Sequence, residues 1–342
     1  MKKFILVCLL ALACAYAQAG VAVTEIPGQQ GDGPVTVFYP TSAAEQQLKR
    51  GPFTMSLALR GEPVKGNGRL IVISHGSGGN PWVHSNTARA LVNDGFIVAM
   101  PQHRGDNAND PGKPGPESWK IRPLEVSRAI DAIAQDKQFA PLLSLDKVGM
   151  YGMSAGGHTA LSLAGGRWSP SLFKAHCEAH LAEDFASCVG LATRLKDNML
   201  DPVKKSIALS VIRNRFDDNT FYTHTDPRIK AIIAGVPFAA DFDAASLAQT
   251  KVPLGFVTAG KDKWLVPKFH SDAILKACKP ACETVADMPT AGHGALLSPP
   301  PPMDVLGDIA QDLLSDPPGF DRGMMPEVDR KMTAFFHRHL LP

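Results

Sequence analysis

Serine, aspartate and histidine occur along this chain in an order and setting that suit nucleophilic catalysis. Gly152-Met153-Ser154-Ala155-Gly156 is the one G-x-S-x-G among the 342 residues. An apolar stretch, Val148 to Tyr151, runs into it, and a small-residue stretch, Gly157 to Ala164, runs out. A strand turning sharply into a helix needs those glycines, and the turn carries the Ser154 hydroxyl to the sheet edge. A serine hydroxyl is a poor nucleophile without a base, and the base needs an acid to orient it. On such a scaffold the partners follow in the order Ser, Asp or Glu, His. Asp262 lies just past the apolar strand Leu254 to Val257, at the end of Ala259-Gly260-Lys261-Asp262. His293 follows 31 residues later among small neighbours, Ala291-Gly292-His293-Gly294-Ala295, which let an imidazole approach closely. Asp262 is expected to orient His293, and His293 to take the Ser154 proton. Asp241 and Asp243 are the alternative acids. His158 is expected to pack or hydrogen-bond beneath the turn, His103 comes too early in the order, and His337 and His339 fall on the last helix.

Acyl transfer also needs donors for a developing oxyanion. The Gly-rich run Ser74-His75-Gly76-Ser77-Gly78-Gly79 follows the apolar strand Leu70 to Ile73. Backbone N–H groups of Ser77 and of Ala155, directly after the nucleophile, are the expected pair. His75 is expected to brace that loop. A phosphate cradle is the lesser alternative for so many glycines, since no Lys-Ser or Lys-Thr follows them as a P-loop needs.

The elements that must position these residues read as an α/β protein. Short continuous apolar runs at Leu70–Ile73, Phe96–Met100, Lys147–Tyr151, Ile229–Ile233 and Leu254–Val257 predict strands covered on both faces. Helical spacing fills the intervals, with one helix predicted from Thr87 to Asn93 and another opening at Pro123. Alternating strands and helices imply a mostly parallel central sheet flanked by helices. The rhythm stops between residues 166 and 227, which read as a helical insertion including Val203 to Asn214. Such an insertion is expected to overhang the site as a cap; Trp82 and Trp168 are candidates to line its pocket, with simple packing the favoured reading for each. Glu327 to Leu340 closes the chain as an amphipathic helix.

Met1-Lys2-Lys3, an uncharged apolar run to Ala15, and Ala17-Gln18-Ala19 give the order of a secretory signal peptide over residues 1–19. The run is too short for a membrane span, and acylation at Cys14 is the lesser alternative. Without Lys2 and Lys3, 33 bases balance 33 acids, so the exported chain lacks the cationic excess of a nucleic-acid binder. Four cysteines then remain in an oxidising compartment, and they allow three pairings. Cys177–Cys188 and Cys278–Cys282 close the shortest loops and are the expected pairs. A zinc site at His176, Cys177 and His180 is the alternative. Oligomeric state is left open.

On these motifs the chain resembles the α/β-hydrolase superfamily, over about residues 33–342. Within it the chain is similar to secreted dienelactone-hydrolase-like proteins and to platelet-activating-factor acetylhydrolases. The features that match are Tyr39-Pro40-Thr41, Ser74-His75-Gly76-x-Gly78-Gly79, the Gly152–Gly157 turn, Asp262 with Val266-Pro267, His293, and Asp316-Pro317-Pro318-Gly319-Phe320. The resemblance implies hydrolysis of small or lipid-like carboxylic esters through an acyl-enzyme, without metal or organic cofactor. Dienelactone hydrolases proper carry a cysteine nucleophile where this chain has Ser154, so that substrate does not carry over. Amide cleavage on the same triad, or ligand capture without catalysis, are the competing expectations.

Overall fold

The structure, a computed structural model, describes residues 20–342. The expected signal peptide, with Cys14, lies outside the described residues. The described residues open with five strands: β1 (Gly20–Ile26), β2 (Val35–Thr41), β3 (Gln46–Arg50), β4 (Phe53–Leu59) and β5 (Leu70–Ser74). Helix α1 (Ser85–Asn93), strand β6 (Ile97–Pro101), helix α2 (Pro116–Gln135), strand β7 (Val148–Met153) and helix α3 (Ala155–Leu163) follow. A largely helical stretch comes next: β8 (Arg167–Trp168), α4 (Pro170–His180), α5 (Phe185–Val189) and α6 (Asp201–Arg215). The alternation then resumes with β9 (Ile229–Gly235), β10 (Phe242–Asp243), β11 (Leu254–Ala259), α7 (Ser271–Cys278), β12 (Cys282–Met288), α8 (Asp308–Leu314) and α9 (Met325–Leu340).

Ten strands make one sheet in the order β12-β11-β9-β7-β5-β6-β2-β1-β4-β3. The pairs from β12 through to β6 are all parallel, and β2 joins β6 antiparallel. This is the α/β architecture expected from the sequence. Alternation along each central strand divides the core into two layers. Leu70 and Val72 pack with α2 and α3, whereas Ile71 and Ile73 pack with α1 and α9. The chain steps from β5 to β6 on one side and then crosses back to β7 on the other. The carboxyl ends of β5 and β7 therefore flank a topological switch point, where open α/β sheets form their crevice.

Two readings need correction. Helix α2 opens at Pro116, not Pro123: Gly115 takes a positive φ of 86° as N-cap, and Pro116 presets the first turn. Pro123 sits inside the helix, where it removes one backbone hydrogen bond but buries its ring. Strands β3 and β12, unassigned from sequence, are the two sheet edges, whose polar outward residues blur the apolar run. Both expected disulfides are present, with Cα–Cα separations of 5.8 Å for Cys177–Cys188 and 5.7 Å for Cys278–Cys282. The first of these takes the Cys177 sulfur out of the zinc alternative. No helix among the described residues is long and apolar enough to cross a membrane.

The α1–α9 contact carries a buried carboxyl, Asp329, which accepts from Thr87 Oγ1 at 2.8 Å. Burial pushes its pKa up to about 6, against the partial opposition of that hydrogen bond. A carboxyl raised in the folded state favours folding fully below its unfolded pKa, and that contribution is lost as pH rises through 6. Asp329→Asn keeps an acceptor for Thr87 and removes the charge. Its melting temperature should exceed the parent's at pH 8, by an amount equivalent to about 1–3 kcal/mol. The difference should vanish near pH 4, as thermal melts across that range will show.

Candidate active site

Ser154 sits between β7 and α3 with φ 60° and ψ −117°, a backbone conformation that costs a non-glycine residue on the order of 1–3 kcal/mol. Three backbone bonds hold it there: Ser154 N–H donates to Gly235 O, and Ser154 O accepts from His158 N–H and Phe238 N–H, at 3.0–3.1 Å. The turn is too tight for side chains at its glycines. A Cβ on Gly152 would lie 1.9 Å from Gly156 O, and one on Gly156 would lie 2.0 Å from Ser74 O.

The structure brings Ser154, Asp262 and His293 together in one line. Ser154 Oγ lies 2.9 Å from His293 Nε2, and His293 Nδ1 lies 2.6 Å from Asp262 Oδ2. The other Asp262 oxygen accepts from the N–H groups of Trp264 and Leu265, each at 2.9 Å. These four bonds leave each group one role. Asp262 holds the Nδ1–H, and Nε2 is the free base facing the serine. Asp262 and His293 are both buried, so the pair interacts away from bulk water. The alternative acids face elsewhere: Asp241 pairs with His158 at 3.0 Å, and Asp243 pairs with Arg167 at 2.6 Å.

Ala155 is the first residue of α3, so its N–H belongs to the amides that no helical carbonyl can satisfy. Ser77 stands in the loop after β5, and a Cβ on neighbouring Gly76 would lie 3.3 Å from Ser154 Cβ. What sets the direction of the Ser77 amide is the carbonyl before it. Gly76 O accepts from His75 Nδ1 at 2.7 Å, from Gly79 N–H at 3.1 Å, and from Arg122 at 3.4 Å. In a trans peptide the following N–H points the opposite way, which turns the Ser77 amide away from the buried side.

Beneath this loop lies a polar layer that the sequence reading did not identify. Arg122, fully buried on α2, donates to His75 O at 2.6 Å, to Asp106 Oδ2 at 2.9 Å and to Ser118 Oγ at 2.7 Å. Asp106 in turn accepts from Ser77 Oγ at 2.6 Å and Gly78 N–H at 2.9 Å. His103 links Glu125 (2.6 Å) to Ser74 Oγ (2.7 Å). Because the His103 N–H donates to His75 Nε2, the His75 proton resides on Nδ1, where it bonds Gly76 O. Burial, then the positive neighbourhood of His103 and Arg122, keeps His75 well below the usual imidazole range. Burial likewise raises Glu125 and lowers His103. One signal was available in the sequence: Ser118, Arg122 and Glu125 are spaced as a single inward face of α2.

His158 does pack beneath the turn, stacked on Trp119 and paired with Asp241. Trp168 is 1% exposed inside the same aromatic cluster, and Trp82 packs against Phe38 with Arg50 over its ring. A cleft of about 730 Å³ lies between residues 191–204 and the start of α8, and the triad is not in its lining. No protein-family model matches the chain, and no curated protein matches it.

Three variants test these arrangements by stability alone. Ser154→Gly relieves the positive φ and Ser154→Ala does not, so the glycine variant should be the more stable by about 1 kcal/mol. Arg122→Met strands Asp106 and two carbonyls in the interior, and should cost roughly 3–5 kcal/mol in denaturant unfolding.

Proposed function

We propose that the protein is an exported serine hydrolase of carboxylic esters, with Ser154 as nucleophile, His293 as general base and acid, and Asp262 as its orienting carboxylate. The observation that carries this reading is the continuous hydrogen-bonded line from Ser154 Oγ through His293 to Asp262. The Ser154 oxygen attacks the ester carbonyl as its proton passes to His293 Nε2. Negative charge on the former carbonyl oxygen is met by the Ala155 and Ser77 amides and by the N-terminal end of α3. Collapse expels the alcohol, which takes the proton from His293, and leaves an acyl-Ser154 ester. Water then attacks that ester with His293 again as base, releasing the carboxylic acid and free serine. None of these steps calls for a metal or an organic cofactor.

The same proposal reads the chain as a dienelactone-hydrolase-like or acetylhydrolase-like member of the α/β-hydrolase superfamily, a reading supported by the motifs around Ser74, Ser154, Asp262 and His293. Export rests on the signal-peptide pattern of residues 1–19 and is compatible with the two disulfides. The helical stretch between β7 and β9 is proposed as the cap that selects acyl group and alcohol.

On p-nitrophenyl acetate, Ser154→Ala should lose all triad-dependent turnover and all labelling by a fluorophosphonate. Asp262→Asn should lower kcat by about 10³–10⁴ while leaving the fold intact. Matched ester and anilide substrates separate ester from amide chemistry. Full activity in Ser154→Ala, or no labelling of the parent protein, would overturn the reading.

A further inference from the structure

Ten large apolar side chains are exposed among the described residues, and six of them fall between positions 191 and 211. These are Leu191, Met199, Leu200, Val203, Ile207 and Val211, each between 52% and 94% exposed. Val203, Ile207 and Val211 recur every fourth residue along α6, so they form one ridge on its outer face. The inner face is occupied by Ala208 and Ile212, which are buried against the rest of the protein. Helix α6 is therefore apolar on both sides, and a solvated helix has no use for the outer one.

Charge around the ridge is equally uneven. Residues 191–215 contain six bases (Arg194, Lys196, Lys204, Lys205, Arg213, Arg215) and two acids (Asp197, Asp201), in a chain whose described residues balance. Among the six, Lys204 and Arg213 are the ones engaged in salt bridges among the described residues. An apolar ridge flanked by unneutralised bases is the surface of a helix that lies in the plane of an anionic bilayer. A second copy of the chain fits less well, because a two-fold contact through this face would set the same positive excess against itself.

We infer that the outer face of α6, with the preceding loop from Leu191 to Leu200, docks the protein on an anionic lipid surface. Position supports the assignment. The loop follows α5, and its cleft is closed by the start of α8, whose far end packs on the loop of His293: a Cβ on Gly294 would lie 2.3 Å from Leu314 O. The loop that precedes α6 is thereby joined through α8 to the loop that carries His293. The docking itself does not require ester hydrolysis; its use for presenting substrate rests on the function proposed above.

Sedimentation with vesicles separates the two questions, using the full mature chain as Ser154→Ala so that lipid is not consumed. Binding is expected to vesicles of phosphatidylcholine with about one-third phosphatidylglycerol, to weaken at least tenfold in high salt, and to be near background on pure phosphatidylcholine. The combined variant Met199→Ser, Leu200→Ser, Ile207→Ser, Val211→Ser should lower the partition coefficient by at least tenfold. Its far-UV circular dichroism and melting temperature should match the parent's, which reports an intact fold. Absence of binding to the anionic vesicles, or equal binding by the variant, would overturn the docking proposal whatever the esterase result. So would a concentration-dependent dimer, seen by analytical ultracentrifugation and broken by the same four substitutions, together with no vesicle binding.

Discussion

The backbone contact between the β5 loop and the β7 turn is the constraint from which the site follows. Ser74 and Gly152 are register partners at the adjacent carboxyl ends of β5 and β7, and there the two chains close to a separation that leaves no room for a Cβ at Gly156. Parallel pairing sends both strands out of the sheet at the same edge. The first then supplies a loop of amides, and the second a serine at a helix start. Strain at Ser154 is sustained because three flanking backbone bonds and two crowded glycines leave the turn no other path. Asp262 and His293 come from the ends of β11 and β12 at this same edge, so the sheet delivers all four segments to one crevice.

A buried arginine under such a loop is costly in isolation, and an apolar side chain of similar size often packs as stably. What the polar layer supplies is direction. Arg122 and His75 gather the carbonyl oxygens of residues 75 and 76 on the buried side, which fixes the peptide planes that follow. Asp106 then ties the Ser77 hydroxyl and the Gly78 amide from below. An apolar filler could occupy the volume but could not choose which way an amide points. Preorganised donors are the part of acyl-transfer catalysis most sensitive to such orientation.

The central strands and the triad were legible in the sequence because their signals are local. Continuous apolar runs marked β5, β6, β7, β9 and β11, and the small residues around Ser154 and His293 marked the places where backbone or ring must come close. Edge strands β3 and β12 escaped because an edge exposes one side, and residues such as Lys49 and Glu283 interrupt the run. The polar layer escaped for a different reason. Asp106 and Arg122 are sixteen residues apart and meet only when α2 folds over the β5 end; each alone reads as a surface charge. Pro123 misled because proline is commonest at a helix start, while here Gly115-Pro116 had already begun the helix.

The helical stretch between β7 and β9 is anchored by the site's own elements rather than by a core of its own. At one end Asp241 holds His158 of α3 through its side chain, while its carbonyl accepts the Ser169 N–H at the start of α4. At the other end Asp184 accepts from His176 on α4 at 2.8 Å and from His270, which begins α7, at 3.1 Å. The Ala239 N–H donates to His270 Nδ1, which puts the His270 proton on Nε2, facing Asp184. Burial opposes ionisation of Asp184, but the hydrogen bonds from His176 and His270 still hold it below the usual carboxylate range. The Cys177–Cys188 disulfide closes the corner between these two anchors. The exposed side chains of residues 191–211 make no contact with either anchor, so their character is not set by the turn at Ser154 or the loop of Asp262. An apolar, basic outer face at that position is then a property of the surface, free of any demand from the core.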